Sequence, residues 1–167
     1  MNELIGDHLD ECAEGGVISR DAIEACGERY REQGYLTRRQ LYALSYAVST
    51  RNAHRVMRNS REECETMTAN AVTVTDDISR ITLLTGLCGL ETLTASCVLA
   101  GLDPQRYAVG DETVWAALAD LGRVRGSNGR IAPREYCVLL EQVRAVAAES
   151  DYSPATVGYA LYAYGSE

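Results

Sequence analysis

The chain has 167 residues, with 24 acidic and 16 basic side chains and a formal net charge of -8. That length suits one domain whose core is large enough to fold without disulfide or metal staples. Every basic residue is arginine, so no lysine ε-amine is available for Schiff-base chemistry.

Phe is also missing, while Tyr occurs ten times. An acidic, lysine-free surface points to adaptation to high salt, where carboxylates hold hydration and long-range repulsion is screened. At molar salt counterion release contributes little, so the net charge does not exclude DNA as a partner. The N-terminal MNELIGDHLDECAEGG carries acids instead of a secretory h-region, and no apolar run approaches the roughly 18 residues of a membrane span. The expected protein is soluble, intracellular and cytoplasmic. Cys12, Cys26, Cys64, Cys88, Cys97 and Cys137 are scattered without a CxxC pair, so they read as buried free thiols. No metal, iron-sulfur cluster or other cofactor is expected.

Residues 1–18 show no clean period and contain Gly15-Gly16, which predicts an irregular lead before a single helical domain over 19–167. Ser19 is placed to cap a helix carrying Ala22, Ile23, Cys26 and Tyr30 on one face, with Gly34 ending it. Thr37 opens a second helix with Leu41, Leu44 and Val48 inward, and its pattern loosens at Ser49-Thr50. Arg51, Arg55 and Arg58 then fall on one predicted helical face beside His54. Such a face can contact phosphate, because guanidinium forks match phosphate oxygens, or can be a solvated face paired with local acids.

Ser60 and Glu63 form a capping box for a helix through about Val72. Thr75 is the next predicted cap, with Asp76 and Asp77 in the first turn where the macrodipole favours anions. Late in the chain, Pro133 opens a helix with Tyr136, Leu139, Leu140, Val143, Val146 and Ala147 inward. Ser153-Pro154 opens a last one carrying Val157, Leu161 and Tyr164. No period-2 run of β-branched residues occurs, so the predicted class is all-α.

The stretch from Leu83 to Leu121 holds the chemistry. Leu87 to Ala95 reads Leu-Cys-Gly-Leu-Glu-Thr-Leu-Thr-Ala, a turn in which Gly89 can take φ > 0 between two helices. The amides that open the second helix can hold an anion. Asp103-Pro104 ends that helix, Tyr107 to Gly110 is extended, and Asp111 starts a helix with Val114, Trp115 and Leu118 on its apolar face. Trp115 then lies one turn from Asp111 on the same side. Asp111 is either a catalytic acid or a plain N-cap.

These residues resemble the helix-hairpin-helix DNA glycosylases related to endonuclease III and 8-oxoguanine glycosylase. The family hairpin Leu-Pro-Gly-Val-Gly-x-Lys-Thr-Ala aligns without a gap on Leu87 to Ala95, and its catalytic aspartate context on Val109 to Trp115. Within that superfamily the chain is similar to a group of small uncharacterised members. It shares with them Ala95-Ser96-Cys97-Val98-Leu99, Asp103-Pro104-Gln105-Arg106-Tyr107, Asp111-Glu112-Thr113-Val114-Trp115 and Ala160-Leu161-Tyr162-Ala163-Tyr164-Gly165.

The resemblance implies a two-lobed, all-α glycosylase-like domain with the helix-hairpin-helix at 76–100 at its centre. It implies a DNA-repair, monofunctional N-glycosylase that removes a damaged base from double-stranded DNA, with Asp111 assisting hydrolysis at the sugar C1′. Gly89, Leu90, Glu91 and Thr92, with Arg51, Arg55 and Arg58, would hold DNA, and Trp115, Tyr107 and Tyr46 would line the base pocket. Two positions depart from the family pattern. Glu91 stands at the hairpin's second glycine, and Leu93 at the lysine of the lyase members. The alternative is a non-catalytic helix-hairpin-helix protein that binds DNA or a protein partner.

Overall fold

The computed structural model describes residues 1–15, 18–126 and 129–166, with the side chains of 9–15 set aside. The described residues are helical and connected by short turns, with no strand among them. In order they form α1 (Asn2–Gly15), α2 (Arg20–Gln33), α3 (Arg38–Val48), the single turn α4 (Thr50–Ala53) and a 3-10 turn (His54–Arg58). Then come α5 (Arg61–Thr73), α6 (Asp77–Thr85), α7 (Thr92–Leu102), α8 (Glu112–Asp120), α9 (Pro133–Ala148) and α10 (Pro154–Tyr164). Among the described residues no helix is long and apolar enough to cross a membrane.

The helix starts follow local rules. Ser19 accepts from the Ala22 amide, Thr37 and Gln40 form a reciprocal capping box, and Ser60 and Glu63 form another. Gly34 ends α2 at φ 77°, a conformation a side chain would resist. The predicted inward stripes of α2, α3, α9 and α10 are buried at Ile23, Cys26, Tyr30, Leu41, Leu44, Val48, Tyr136, Leu139, Leu140, Val143, Val146, Val157 and Leu161. Cys26, Cys64 and Cys97 are buried free thiols.

Three local expectations are corrected. Most of the predicted irregular lead is a helix. α1 docks on α10 through Ile5, which is fully buried, and through His8, whose ring meets Tyr164 edge-on at 5.3 Å. Its few apolar positions give no readable period, because among its described side chains only Ile5 is buried. Gly16 and Val17 lie outside the described residues. The cap of α6 is Asp76, whose carboxylate accepts from Ser79, and Thr75 precedes it. Finally, the helix expected across Arg51 to Arg58 breaks. Four residues of α4 pass into the 3-10 turn, so α-helical spacing no longer sets which arginines share a face.

One helix lies at the middle of the packing. α7 buries nine of its eleven residues, Thr92 and then Thr94 through Gly101, as expected of a helix surrounded by protein on all sides. α2, α3 and α6 all pack on it. The crossing with α2 is glycine on glycine: a Cβ at Gly27 would fall on the Gly101 carbonyl, and one at Gly101 on the carbonyl of Ile23. Arg31 closes the same contact by donating to the carbonyls of Gly101 and Leu102 at the C-terminal end of α7.

Because these are backbone atoms of two packed helices, the overlap cannot be relieved by a rotamer change. Gly27→Ala should lower the unfolding free energy by about 3 kcal/mol or more. Urea titration followed by far-UV circular dichroism checks this, and a loss below about 1 kcal/mol would contradict so close a crossing.

Candidate functional site

α6 and α7 form a helical hairpin whose turn runs from Gly86 to Glu91. Gly89 sits there at φ 86°, and a Cβ on it would come within 2.6 Å of the Val56 amide nitrogen and 3.0 Å of the Arg55 carbonyl carbon. The turn is therefore pressed directly onto the 3-10 turn. The buried side chain of Asn59 fixes that approach. Its amide donates to the carbonyls of Cys88, at 2.8 Å, and Val56, at 2.9 Å, while its Oδ1 accepts from the Cys88 amide at 2.8 Å. No side chain caps α7, so Glu91, its first flanking residue, leaves the opening amides of the helix uncovered.

The first residues of that helix line a cavity of about 170 Å³ together with Gly89 and Glu91 from the hairpin turn, Ser49, Arg51 and Asn52 from the α3–α4 junction, Asp111 and Glu112, and Arg130 and Ile131. Cationic and anionic groups thus meet in one small polar space. The Glu91 carboxylate does not reach back to its own helix but points toward Arg130, at 3.8 Å.

Asp111 is 6% exposed, and its place is set by the extended segment Tyr107–Gly110. Ser96 on α7 accepts from the Gly110 amide at 2.9 Å, and the Tyr136 hydroxyl donates to the Ala108 carbonyl at 2.8 Å. Asp111 Oδ1 caps α8 by accepting from the amides of Thr113 (2.9 Å) and Val114 (3.2 Å). Oδ2 has a single 3.4 Å contact with the Thr113 hydroxyl and is the freer oxygen. Burial pushes the carboxyl up to about 6, with the Glu112 charge adding to it, while bonds from Val114 and Thr113 hold it back. Asp111 is thus both a helix cap and a cavity wall.

Of the residues proposed from sequence, Gly89, Glu91, Thr92, Arg51 and Asp111 come together around the cavity. The others do not. Leu90 is buried, and Arg55 and Arg58 lie exposed on the 3-10 turn outside the lining, because the break at Ala53 turns them from Arg51. Trp115 is not in the cavity wall. Its indole donates instead to the Gly126 carbonyl at 2.9 Å.

Tyr107 points elsewhere as well. Its hydroxyl donates to Asp77 at 2.8 Å, and the guanidiniums of Arg80, Arg106 and Arg144 lie over its ring at 5.3 to 5.7 Å. Asp77 also accepts from Arg106 and Arg144. Burial alone would raise the Asp77 carboxyl, but the bonds from Arg144 and Tyr107 and the neighbouring guanidinium charges outweigh it and hold it below the usual range. Tyr107 therefore anchors the segment that leads to Asp111. Tyr46 is 60% exposed, stacked on Tyr42, and outside the cavity.

Sequence reasoning missed Asn59, Ser96 and Arg130. Asn59 and Ser96 act through backbone atoms distant in the chain, and Arg130 comes to the site from beyond α8, a placement that no local pattern encodes.

An aspartate whose folded pKa lies above its ordinary value is penalised when ionised. The folded protein then loses stability as pH rises through about 6, and the penalty vanishes below the unfolded value near 4. Asn at this position keeps an N-cap acceptor and carries no charge. Asp111→Asn should therefore raise stability at pH 8 by up to about 3 kcal/mol, with the gain shrinking to nothing near pH 4. Thermal melts of both proteins across that range test it, and a variant less stable at pH 8 would mean that Asp111 is held as a cap alone.

No protein-family model matches the chain, and neither does any curated protein or solved structure.

Proposed function

We propose that the chain is a helix-hairpin-helix protein of the DNA glycosylase type, two-lobed around α7, that removes a damaged base from double-stranded DNA. The observation that supports this reading most directly is the single cavity lined by the first residues of α7, whose start no side chain caps, by Arg51 and Arg130, and by the buried Asp111. A phosphate would sit on the amides of Thr92 to Thr94, beside Arg51 and Arg130.

Cleavage breaks the bond between C1′ and the base nitrogen, and the bonding electrons leave with the base. Charge develops at the sugar as an oxocarbenium ion. Ionised Asp111, through Oδ2, stabilises that cation and orients the water whose oxygen bonds to C1′. The proton of that water ends on the departing base, and the sugar becomes abasic. Without a lysine amine, the strand is not cut by a Schiff-base route. In the same reading the protein works in the cytoplasm of a salt-adapted cell, so assays belong at both ordinary and molar salt.

Base release from a panel of lesion-bearing duplexes should occur with the wild type and fall by about 10² or more in Asp111→Asn. Because the carboxylate is the active form, the wild-type rate should rise with pH through about 6 and level off above it. A variant as active as the wild type, or a panel with no processed lesion at either salt, would sink the assignment.

The placement of Glu91 favours a second reading, a hairpin protein that binds without catalysis. Its carboxylate flanks the helix start where a phosphate would come, and the counter-charge beside it is the exposed Arg130 at 3.8 Å. In that case Glu91→Gly should tighten duplex binding several-fold in fluorescence anisotropy while base release stays absent. Unchanged affinity would show that the carboxylate is not what limits DNA binding.

A further inference from the structure

Six of the sixteen arginines, and none of the 24 acids, lie between Tyr35 and Arg61. In a chain of net charge -8 this is a marked segregation, and the fold concentrates it. α3, the 3-10 turn and the start of α5 enclose a groove of about 770 Å³, separate from the Asp111 cavity. Arg38, Arg39, Arg61 and His54 line it with Tyr42 and Met57, and no carboxylate does.

The cations are available. Arg39 is exposed, Arg61 has only a long 3.9 Å approach to Glu65, and Arg38 donates a single bond to the Asn59 carbonyl at 3.0 Å. The apolar wall is equally open. Met57 is 48% exposed, and Tyr46, 60% exposed, extends the wall by stacking on Tyr42 with ring centroids 6.3 Å apart. Large apolar side chains left in solvent beside guanidiniums with few protein partners suit a ligand that is both flat and anionic. Unpaired nucleotides have that chemistry: phosphates for the arginines and π-faces for the tyrosines and Met57. Bases held in a duplex cannot present those faces.

We infer that the groove between α3 and the 3-10 turn binds single-stranded DNA, with bases stacked on Tyr42 and Tyr46 and phosphates on Arg38, Arg39 and Arg61. Only the choice of DNA over RNA rests on the function proposed above. Ser49, Arg51 and Asn52 carry the same α3–α4 segment to the edge of the Asp111 cavity, so an unpaired strand on this groove would continue from a duplex held at the hairpin.

The test is fluorescence anisotropy with labelled oligo-dT, competed by a duplex of equal length, oligo-U, inorganic polyphosphate and poly-glutamate. Oligo-dT should bind more tightly than all four competitors. Tyr46→Ala, at an exposed position that leaves the core intact, should weaken oligo-dT about tenfold and polyphosphate not at all. Tyr42→Leu, which keeps the apolar volume against the core, should do the same. Arg39→Gln with Arg61→Gln should weaken both ligands and flatten the salt dependence. Asp111→Asn should bind oligo-dT as the wild type does, so loss of base release and loss of strand binding are separable. Equal affinity for duplex or polyphosphate, tighter binding of oligo-U or poly-glutamate, or indifference to both tyrosine changes would each overturn the inference.

Discussion

The structure depends on the burial of α7 from every side. A helix with no solvent face must present small or apolar side chains in all directions, and Thr-Leu-Thr-Ala-Ser-Cys-Val-Leu-Ala-Gly-Leu does so. The small residues let α2 approach to backbone contact at Gly27 and Gly101, and the few hydroxyls are used for bonding. Ser96 holds the Gly110 amide and also donates to the Leu93 carbonyl, so one buried side chain ties the central helix to the segment before Asp111. Both ends of this helix meet charge: Arg31 covers the C-terminal carbonyls, and the first residues line the cavity that Arg51, Arg130 and Asp111 share.

The placement of Asp111 follows from that arrangement. An extended segment running through a helical core has amides and carbonyls with no ladder to join, and each must find a partner. Gly110 finds Ser96 and Ala108 finds Tyr136, while the Tyr107 ring is clasped by three arginines and Asp77. The cluster around Asp77 joins α6, α9 and the segment that follows α7, so Asp111 hangs from a frame set by three elements. The hairpin turn is held just as firmly, by Asn59 and by the pressure of the 3-10 turn on Gly89. Cavity walls that come from different parts of the chain are thereby fixed to one another through α7.

What local chemistry decides was legible in the sequence. Ser19, Thr37, the Ser60–Glu63 box, Pro133 and Ser153-Pro154 mark helix starts, because a cap needs only residues within one turn. Gly89 and Asp111 were recognisable for the same reason, one by its need for positive φ and the other by its place before a helix. Tertiary choices were not legible. Tyr107, Trp115 and Tyr46 are amphipathic side chains that suit a ligand pocket, a buried hydrogen bond or an exposed shelf equally well, and only packing decides among them. Arg55 and Arg58 share α-helical spacing with Arg51, yet a chain pressed against Gly89 tightens into a 3-10 turn and redirects them. The acidic α1 left no period to read because it contributes a single fully buried side chain on its described part, Ile5.

The charges around the cavity can be weighed against one another. Arg51 and Arg130 face Glu91, Glu112 and Asp111, so the space is near balance when Asp111 is protonated and negative when it is ionised. An anion settling on the α7 amides would add to that negative charge and raise the Asp111 pKa further. A cation beside Oδ2 would do the opposite, because it neutralises the one negative charge by which the ionised cavity exceeds balance. The ionised cavity is therefore the better site for a cation, and the protonated one for an anion.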